Sequence, residues 1–410
     1  MAGFVQELTD RPSAIKYTVD TLAFPWSASS ELLPLSQAEG RRLASPVFSR
    51  EPSPPFTRST RDGFALSSLD CFGASALNPA FLRLKGEVPM GGMPCFSVEP
   101  GECALIHTGG ALPMGTDAVV MAEFAEESGE WIEIRDSVQR EENTVSAGEE
   151  YDAGTVLLEK GALLDFRTLG IPACAGVAEV SALRIKAGII SSGDEIVPYD
   201  TAFLSSGQIR DVNSHILSSL MRSQGYEPRF YGIAGDDIGS LERLFQLAYD
   251  ECDVVLVNGG SSVSARDQTS RLFESLSDPG MLVRGILMSP GKPTLIAGAR
   301  DDRKLVFGLP GHPFSCFLSA YTVALPLMHA IHTGRPRVPQ SVIFLTVTEP
   351  VYGHSGVEEF LPCSIEDGKA LPRPVKSSFS GALRDADGLI RLPASRETVR
   401  PGEEVEVWLW

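Results

Sequence analysis

The segment from Arg184 to Gly334 constrains the fold most. Four short apolar runs there each end in a glycine-rich or acidic loop, and helical stretches separate them. The runs are "IKAGIISSGDEI", "PRFYGIAGDD", "DVVLVNGGSSVSARD" and "KLVFGLPGHP", with "NSHILSSLMRSQG" and "IGSLERLFQLAYDE" as helices between them. Strand–helix alternation of this kind predicts a parallel sheet wrapped by helices. Asn213 is the expected N-cap of the first helix and Gly225 lies near its end. Pro313 suits the first turn of the helix that follows "GLPGHP", and Gly311 is expected to supply a backbone path closed to other residues.

In open parallel sheets ligands gather outside the carboxyl ends of the strands. That rule singles out the loops at residues 191–196, 232–237, 258–267 and 308–313, with "SPGKP" (289–293) adding Lys292. Together they supply glycines for close backbone approach, hydroxyls, carboxylates and one lysine. This is the composition of a polyanion pocket holding a divalent cation, because carboxylates beside phosphate need Mg²⁺ between them. Taken singly each loop also has a plain reading: Asp194 and Asp237 as helix caps, Gly259-Gly260 as a turn.

The flanking regions differ in texture. Residues 1–70 and 151–183 form an expected discontinuous N-terminal domain, with helices near Ala14–Leu22 and Leu163–Ala175. Residues 71–150 read as a small β domain, 184–334 as the α/β domain, and 335–410 as an all-β domain. A net charge of −18 argues against nucleic acid and anionic membrane surfaces as partners. The longest apolar stretch, Phe317–Ile331, contains Pro326 and His329 and is expected to be too short for a bilayer. Seven cysteines without a CxxC pair fit buried thiols in the cytoplasm. No two glycines flank a single residue, Pro293 stands where a Walker A loop needs Ser or Thr, and HExxH and GxSxG are absent.

The chain resembles the molybdopterin molybdenumtransferases, the group that includes the C-terminal domain of gephyrin. The likeness runs through "PPFTRSTRDGFAL", "PGECALIHTGGALPMGTDAVVMAE", "ISSGDEI", "GQIRDVNS", "GGSSVSARD", "PGKP", "GLPGHPFS" and "ADGLIRLP". It implies a multidomain α/β fold with four parts. These are a doubly wound, MogA-like parallel-sheet domain, a small β domain, an N-terminal α/β domain and a C-terminal β-barrel-like domain. It further implies an elongated homodimer of L-shaped subunits with the site between them, and a molybdopterin adenylyltransferase as a candidate partner. The implied reaction inserts molybdate or tungstate into adenylylated molybdopterin and releases AMP, with Mg²⁺ assisting. The alternative is a non-catalytic relative that binds pterin cofactor or serves as a scaffold.

Carried over by motif, Asp62 and Thr108 match positions contributed by the partner subunit. Glu195, Asp236 and Asp267 match acids around the adenylyl-pterin, with Asp236 and Asp267 as the catalytic and metal-binding pair. Lys292, Pro310, His312, Pro313 and Ser377 match the part that meets pterin phosphate and oxyanion. The chain departs from the family pattern at Ser289 (usually Lys), His312 (usually Asn) and Pro362 (usually Arg), and also at Ser264, Gln268 and Glu150. The first and third changes each remove a cation from the expected anion site.

Overall fold

A computed structural model of the protein describes residues 8–259, 263–337 and 341–410, and of residues 263–267 the backbone alone. The chain divides into two compact units. The larger takes in the chain through Ser45, Lys160–Leu169 and Glu179–Trp410; the smaller takes in Pro46–Glu159 and Gly170–Ala178.

The larger unit is built on the alternating segment. Its strands and helices run β1 (Lys186–Ser192), α1 (Asn213–Ser223), β2 (Glu227–Ala234), α2 (Ile238–Glu251), β3 (Val254–Gly259), α3 (Val263–Glu274), β4 (Pro279–Arg284), β5 (Leu295–Ala299), β6 (Lys304–Pro310) and α4 (Pro313–Ser319). The sheet order is β2-β1-β3-β6-β5-β4, with the first four strands parallel, β5 antiparallel to β6, and β4 antiparallel to β5. Side chains alternate between faces at period two, which explains the near-continuous apolar runs. Ile189, Val254, Leu256 and Phe307 pack on one face with Leu217 and Met221 of α1. Ile190, Val255, Val257 and Val306 pack on the other with Leu241, Phe245 and Ala248 of α2. The register sets Ala234, Ser192, Gly259 and Pro310 side by side across β2, β1, β3 and β6. That row places all four loops at one edge.

Helix α4 continues through a π-helical turn at Ala320–Ala324 into a last helix, Leu325–Thr333. The turn lies just before Pro326, whose missing N–H interrupts the ladder. The run Pro313–Thr333 is long and apolar enough by length and composition to cross a bilayer, which corrects the expectation drawn from Phe317–Ile331 that it is too short; its most apolar 18-residue window is 94% buried within the protein. Burial against the sheet accounts for its composition.

The C-terminal strands form a further sheet in the order Met288–Ser289, Glu358–Glu366, Gly388–Leu392, Glu404–Leu409, Ser341–Thr346. Strand Lys369–Pro372 pairs with Glu358–Glu366, and Val347 bridges to Ala370, so the sheet curls back on itself as a barrel does. The N-terminal helix, Arg11–Leu22, starts three residues before its expected position because Asp10 caps it through the Ser13 N–H at 2.9 Å. Its Arg11 forks onto the buried Glu358 at 2.7 and 2.9 Å, and Arg391 reaches the same carboxylate at 2.6 Å. Burial alone would raise the Glu358 carboxyl, but these two guanidiniums outweigh it and hold the group below its ordinary value. We expect Glu358→Gln to cost about 2 kcal/mol in urea unfolding near neutral pH. An unchanged midpoint would mean that the pair contributes nothing.

In the smaller unit a six-stranded sheet has the order Ala118–Met121, Gly63–Leu66, Glu102–Ile106, Ala80–Glu87, Trp131–Ile134, Ala125–Ser128. It recruits Gly63–Leu66 from ahead of residue 71. A Cβ at Gly63 would lie 1.9 Å from the Val120 carbonyl oxygen, so only glycine fits between these strands. The helix expected over Leu163–Ala175 shrinks to Gly170–Cys174.

Candidate active site

At the end of β1, Gly193 has φ +146°, and a Cβ there would stand 2.6 Å from Glu195 Oε2, so the glycine lets the Glu195 carboxylate fold back over the loop. Asp194 Oδ1 accepts the Asp236 N–H at 2.9 Å, which ties the loop after β1 to the loop after β2. Asp237 is the N-cap of α2, accepting from the Ser240 N–H at 2.8 Å, and its plain reading holds. Burial, then the charges of Asp194 and Glu195, push the Asp236 carboxyl above its ordinary value. Three acids thus share one loop pair, and their mutual repulsion would be relieved by a cation. Asp267 falls on α3, but its side chain lies outside the described residues, as does that of Ser264.

Gly259 ends β3 with φ +130°, and a Cβ there would lie 2.1 Å from the Ser192 carbonyl oxygen. Beside it Pro310 ends β6, and Pro313 stands in the first turn of α4 as expected. Gly311 does not adopt a left-handed conformation, and a Cβ there would meet only Gly259 at 3.6 Å. The expectation that it supplies a backbone path closed to other residues is therefore corrected. His312 occupies the N-cap position without a capping bond; its Nδ1 instead lies 2.9 Å from Ser377 Oγ. The Phe314 N–H donates to the Ser377 carbonyl at 3.0 Å, so Ser377 is held against this loop at two points.

A buried polar layer beneath the loops escaped the sequence reading. Asp211 Oδ2 accepts from Ser191 Oγ at 2.9 Å and Oδ1 from the Ser214 N–H at 3.1 Å. Asn258 Nδ2 donates to the Ile190 carbonyl at 3.0 Å and to Ser191 Oγ at 3.1 Å. Asn213 is not the N-cap of α1; Val212 holds that position, and the Asn213 amide donates to the Gly311 carbonyl at 2.8 Å. The available signal was Ser191 and Asn258 themselves, polar side chains inside otherwise apolar strands.

Three of the clefts on the larger unit lie around the loop after β6 and the segment Ser289–Pro293. One of about 250 Å³ is lined by Gly259, Thr269, Pro293, Pro310 and His312. A second, of about 450 Å³, shares Pro293 with it and is lined by Lys292 and Arg284. A third, of about 280 Å³, is lined by Ser289, Glu359, Pro362 and Ser377. The sequence-derived residues Pro310, His312, Pro313 and Ser377 therefore gather, with Lys292 beyond Pro293, and Glu195 gathers with Asp236. In the smaller unit Asp62 Oδ1 accepts the Thr108 N–H at 2.8 Å with His107 Nδ1 3.7 Å away, and these contacts hold the Asp62 carboxyl low. Among the described residues no group of three or more His, Cys, Asp or Glu is placed to hold a metal ion.

Comparison with known proteins decides the family. Residues 9–176 match the MoeA N-terminal region (domain I and II), 188–330 a probable molybdopterin binding domain, and 345–410 the MoeA C-terminal region (domain IV). A putative molybdopterin biosynthesis protein of Methanocaldococcus jannaschii is 30% identical over 316 residues, covering 75% of this chain and 76% of that protein. A molybdopterin molybdenumtransferase of a Nostoc species is 31% identical over 304 residues, covering 74% and 69%. The crystal structure of a molybdopterin biosynthesis MoeA protein from Pyrococcus horikoshii superposes with a TM-score of 0.74 at 32% identity, covering 98% of this chain and 99% of that one. The chain belongs to the MoeA family.

Within this MoeA chain two of the departures from the family pattern converge. Ser289 and Pro362 line the same 280 Å³ cleft, and Ser289 is the register partner of Glu359. His354 Nδ1 contacts the Glu359 carboxylate. The two positions where the resemblance implied cations thus share one wall with an acid, a grouping that spacing along the chain does not show.

Proposed function

We propose that this protein is a molybdopterin molybdenumtransferase, inserting molybdate or tungstate into adenylylated molybdopterin with release of AMP. The observation that carries the reading is the register row Ala234, Ser192, Gly259, Pro310, which sets an acidic loop pair beside the Gly259–Pro310–His312 cleft. A substrate diphosphate at the row would lie between the acids and that cleft. Mg²⁺ suits this place: it takes one or two carboxylates and fills its octahedron from phosphate and water. The carboxylates of Asp236 and Asp267 would hold it, and its chemistry there is to neutralise charge on the departing AMP. Lys292 would face phosphate as a point charge, while His312 and Ser377 would orient the oxyanion by hydrogen bonds. AMP release that depends on added oxyanion supports the assignment; a folded protein that binds the substrate and releases no AMP contradicts it.

The cleft at Ser289 bears directly on oxyanion affinity. Among the described residues its walls carry Glu359 and no lysine or arginine, which favours the second reading, a non-catalytic pterin-binding relative. Ser289→Lys is expected to tighten molybdate binding about tenfold, the effect of one charge-assisted hydrogen bond. Equal affinity before and after the change, measured by equilibrium dialysis, would place the anion elsewhere.

The working unit proposed is a cytoplasmic homodimer in which Asp62 and Thr108 of one subunit complete the site of the other. The described cysteines are free thiols, but Cys95 and Cys174 are exposed, against the expectation that all are buried. Mixing Asp62→Ala with Asp267→Asn protein should then restore roughly a quarter of wild-type turnover by random subunit exchange. No recovery after verified exchange would mean that both residues serve a site within one chain.

A further inference from the structure

A helix that lays one face on a sheet is expected to be apolar along the whole of that face. Helix α1 keeps the rule at Leu217 and Met221, both fully buried, and breaks it at Asn213, one turn earlier on the same stripe. Asn213 is 7% exposed. Its Nδ2 donates to the Gly311 carbonyl at 2.8 Å, while its Oδ1 is buried with no hydrogen-bond partner among the described residues. We infer that Asn213 is a positioning residue, one that fixes the Gly311–His312 peptide beside the cleft; the reaction it serves is the one proposed above.

Energetics argue against a purely structural role. A buried acceptor left unpaired costs about 1–3 kcal/mol, and an apolar side chain of similar shape avoids that cost. Leucine is such a side chain, and it occupies the next position of the stripe at Leu217. Asparagine supplies one thing that leucine cannot, a donor to the Gly311 carbonyl. The helix end that carries it is itself anchored. The Ser214 N–H donates to Asp211 Oδ1 at 3.1 Å, and Asp211 Oδ2 accepts from Ser191 Oγ of β1 at 2.9 Å. Ser191 Oγ in turn accepts from Asn258 Nδ2 of β3 at 3.1 Å. The start of α1 is thus tied to two central strands before Asn213 reaches the loop after β6.

The bond has a defined consequence at the cleft. The Gly311–His312 peptide is trans, so its C=O and N–H point in opposite directions. With the carbonyl turned onto α1, the His312 N–H is turned away from that helix. Gly311 has no side chain to hold this peptide in place, and a Cβ there would meet only Gly259 at 3.6 Å. The Asn213 amide supplies the restraint. Pro310, Gly311 and His312 all line the 250 Å³ cleft, and His312 Nδ1 lies 2.9 Å from Ser377 Oγ. Rotation of the Gly311–His312 peptide would therefore displace the two side chains proposed to orient the oxyanion.

Two variants of the full chain test the role. Asn213→Leu removes the donor together with the unpaired acceptor, so its unfolding midpoint should move little. Its kcat for AMP release should fall about 10²-fold, the effect of a small misplacement at a reacting centre, while KM for adenylylated molybdopterin stays near the wild-type value. In Asn213→Asp the carboxylate cannot donate to a carbonyl, whereas the protonated carboxyl can. Burial raises that carboxyl, so kcat relative to wild type should recover as the pH falls from about 8 to about 5. Asp211 before α1, and His312 and Cys316 on the segment that Asn213 faces, are common to both proteins and cancel in the ratio. Deuterium exchange, which needs no turnover, should quicken in Asn213→Leu over residues 304–316 and stay unchanged over 186–192. Wild-type kcat and exchange in Asn213→Leu, or kcat and KM shifting together with a large loss of stability, would overturn the role. So would a ratio for Asn213→Asp that does not change with pH, and this second variant decides the matter if the first does not fold. Exchange that quickens over 304–316, in a protein whose wild type releases no AMP from substrate, leaves the positioning role standing and removes the transferase reading. Normal wild-type turnover with both variants unaffected removes the positioning role alone.

Discussion

As the pH is lowered from 7 to 4, the wild-type protein should lose about 3 kcal/mol more stability than a His332→Leu variant. His332 is 1% exposed, and neither of its ring nitrogens has a hydrogen-bond partner. Burial, then His329, Arg42 and Lys160, depress its pKa to about 3. In the unfolded chain the same imidazole titrates near 6.5. The unfolded state therefore binds the proton first: the neutral ring costs nothing above about 6.5, and stability falls as the pH drops toward 3. Leucine fills the site without titrating, and the carboxylates common to both proteins cancel in the comparison. Urea midpoints at pH 7, 5 and 4 measure the difference. Parallel profiles would show that the ring is solvated or paired when charged.

Replacing Asp236 with Asn should lower AMP release by about 10²–10³, the usual cost of removing one preorganised electrostatic group from a reacting centre. The Asp236 carboxyl is exposed and, among the described residues, holds no neighbour by a hydrogen bond, so thermal unfolding should hardly move. Asp302→Asn is the control. Asp302 accepts from Tyr249 Oη at 2.9 Å and Ser277 Oγ at 2.8 Å, away from the carboxyl edge of the sheet. Its loss should leave turnover intact. Near-normal turnover in Asp236→Asn would remove that residue from the site.

How much of this was legible in the chain depends on the range over which each feature is determined. Local chemistry read well: Pro313 in a first turn and Asp237 as a cap depend on their immediate neighbours, and both stand as expected. The strand–helix alternation is equally local in origin, and it led to the sheet and its loop edge. Asn213 misled because its residue type suits a cap, whereas tertiary packing buries it and turns its amide to the Gly311 carbonyl, 98 residues away in sequence. The helix expected near Leu163–Ala175 shortened around Pro172, the residue least able to continue one. Ser377 could be placed only by resemblance, since its contact with His312 spans 65 residues of sequence. The cleft that joins Ser289, Glu359 and Pro362 arises from pairing of a two-residue strand with a distant one, which no periodicity announces.

In the proposed function the acidic loop pair and the neighbouring cleft couple oxyanion insertion to loss of AMP. A single-turnover reaction tests it most directly. Purified protein is mixed with adenylylated molybdopterin, Mg²⁺ and molybdate, and AMP is quantified alongside metal retained on the pterin. AMP and bound molybdenum should appear together in equal amounts, with neither formed when molybdate and tungstate are both left out. AMP released at the same rate without oxyanion, or substrate bound with no AMP and no metal transferred, would contradict it.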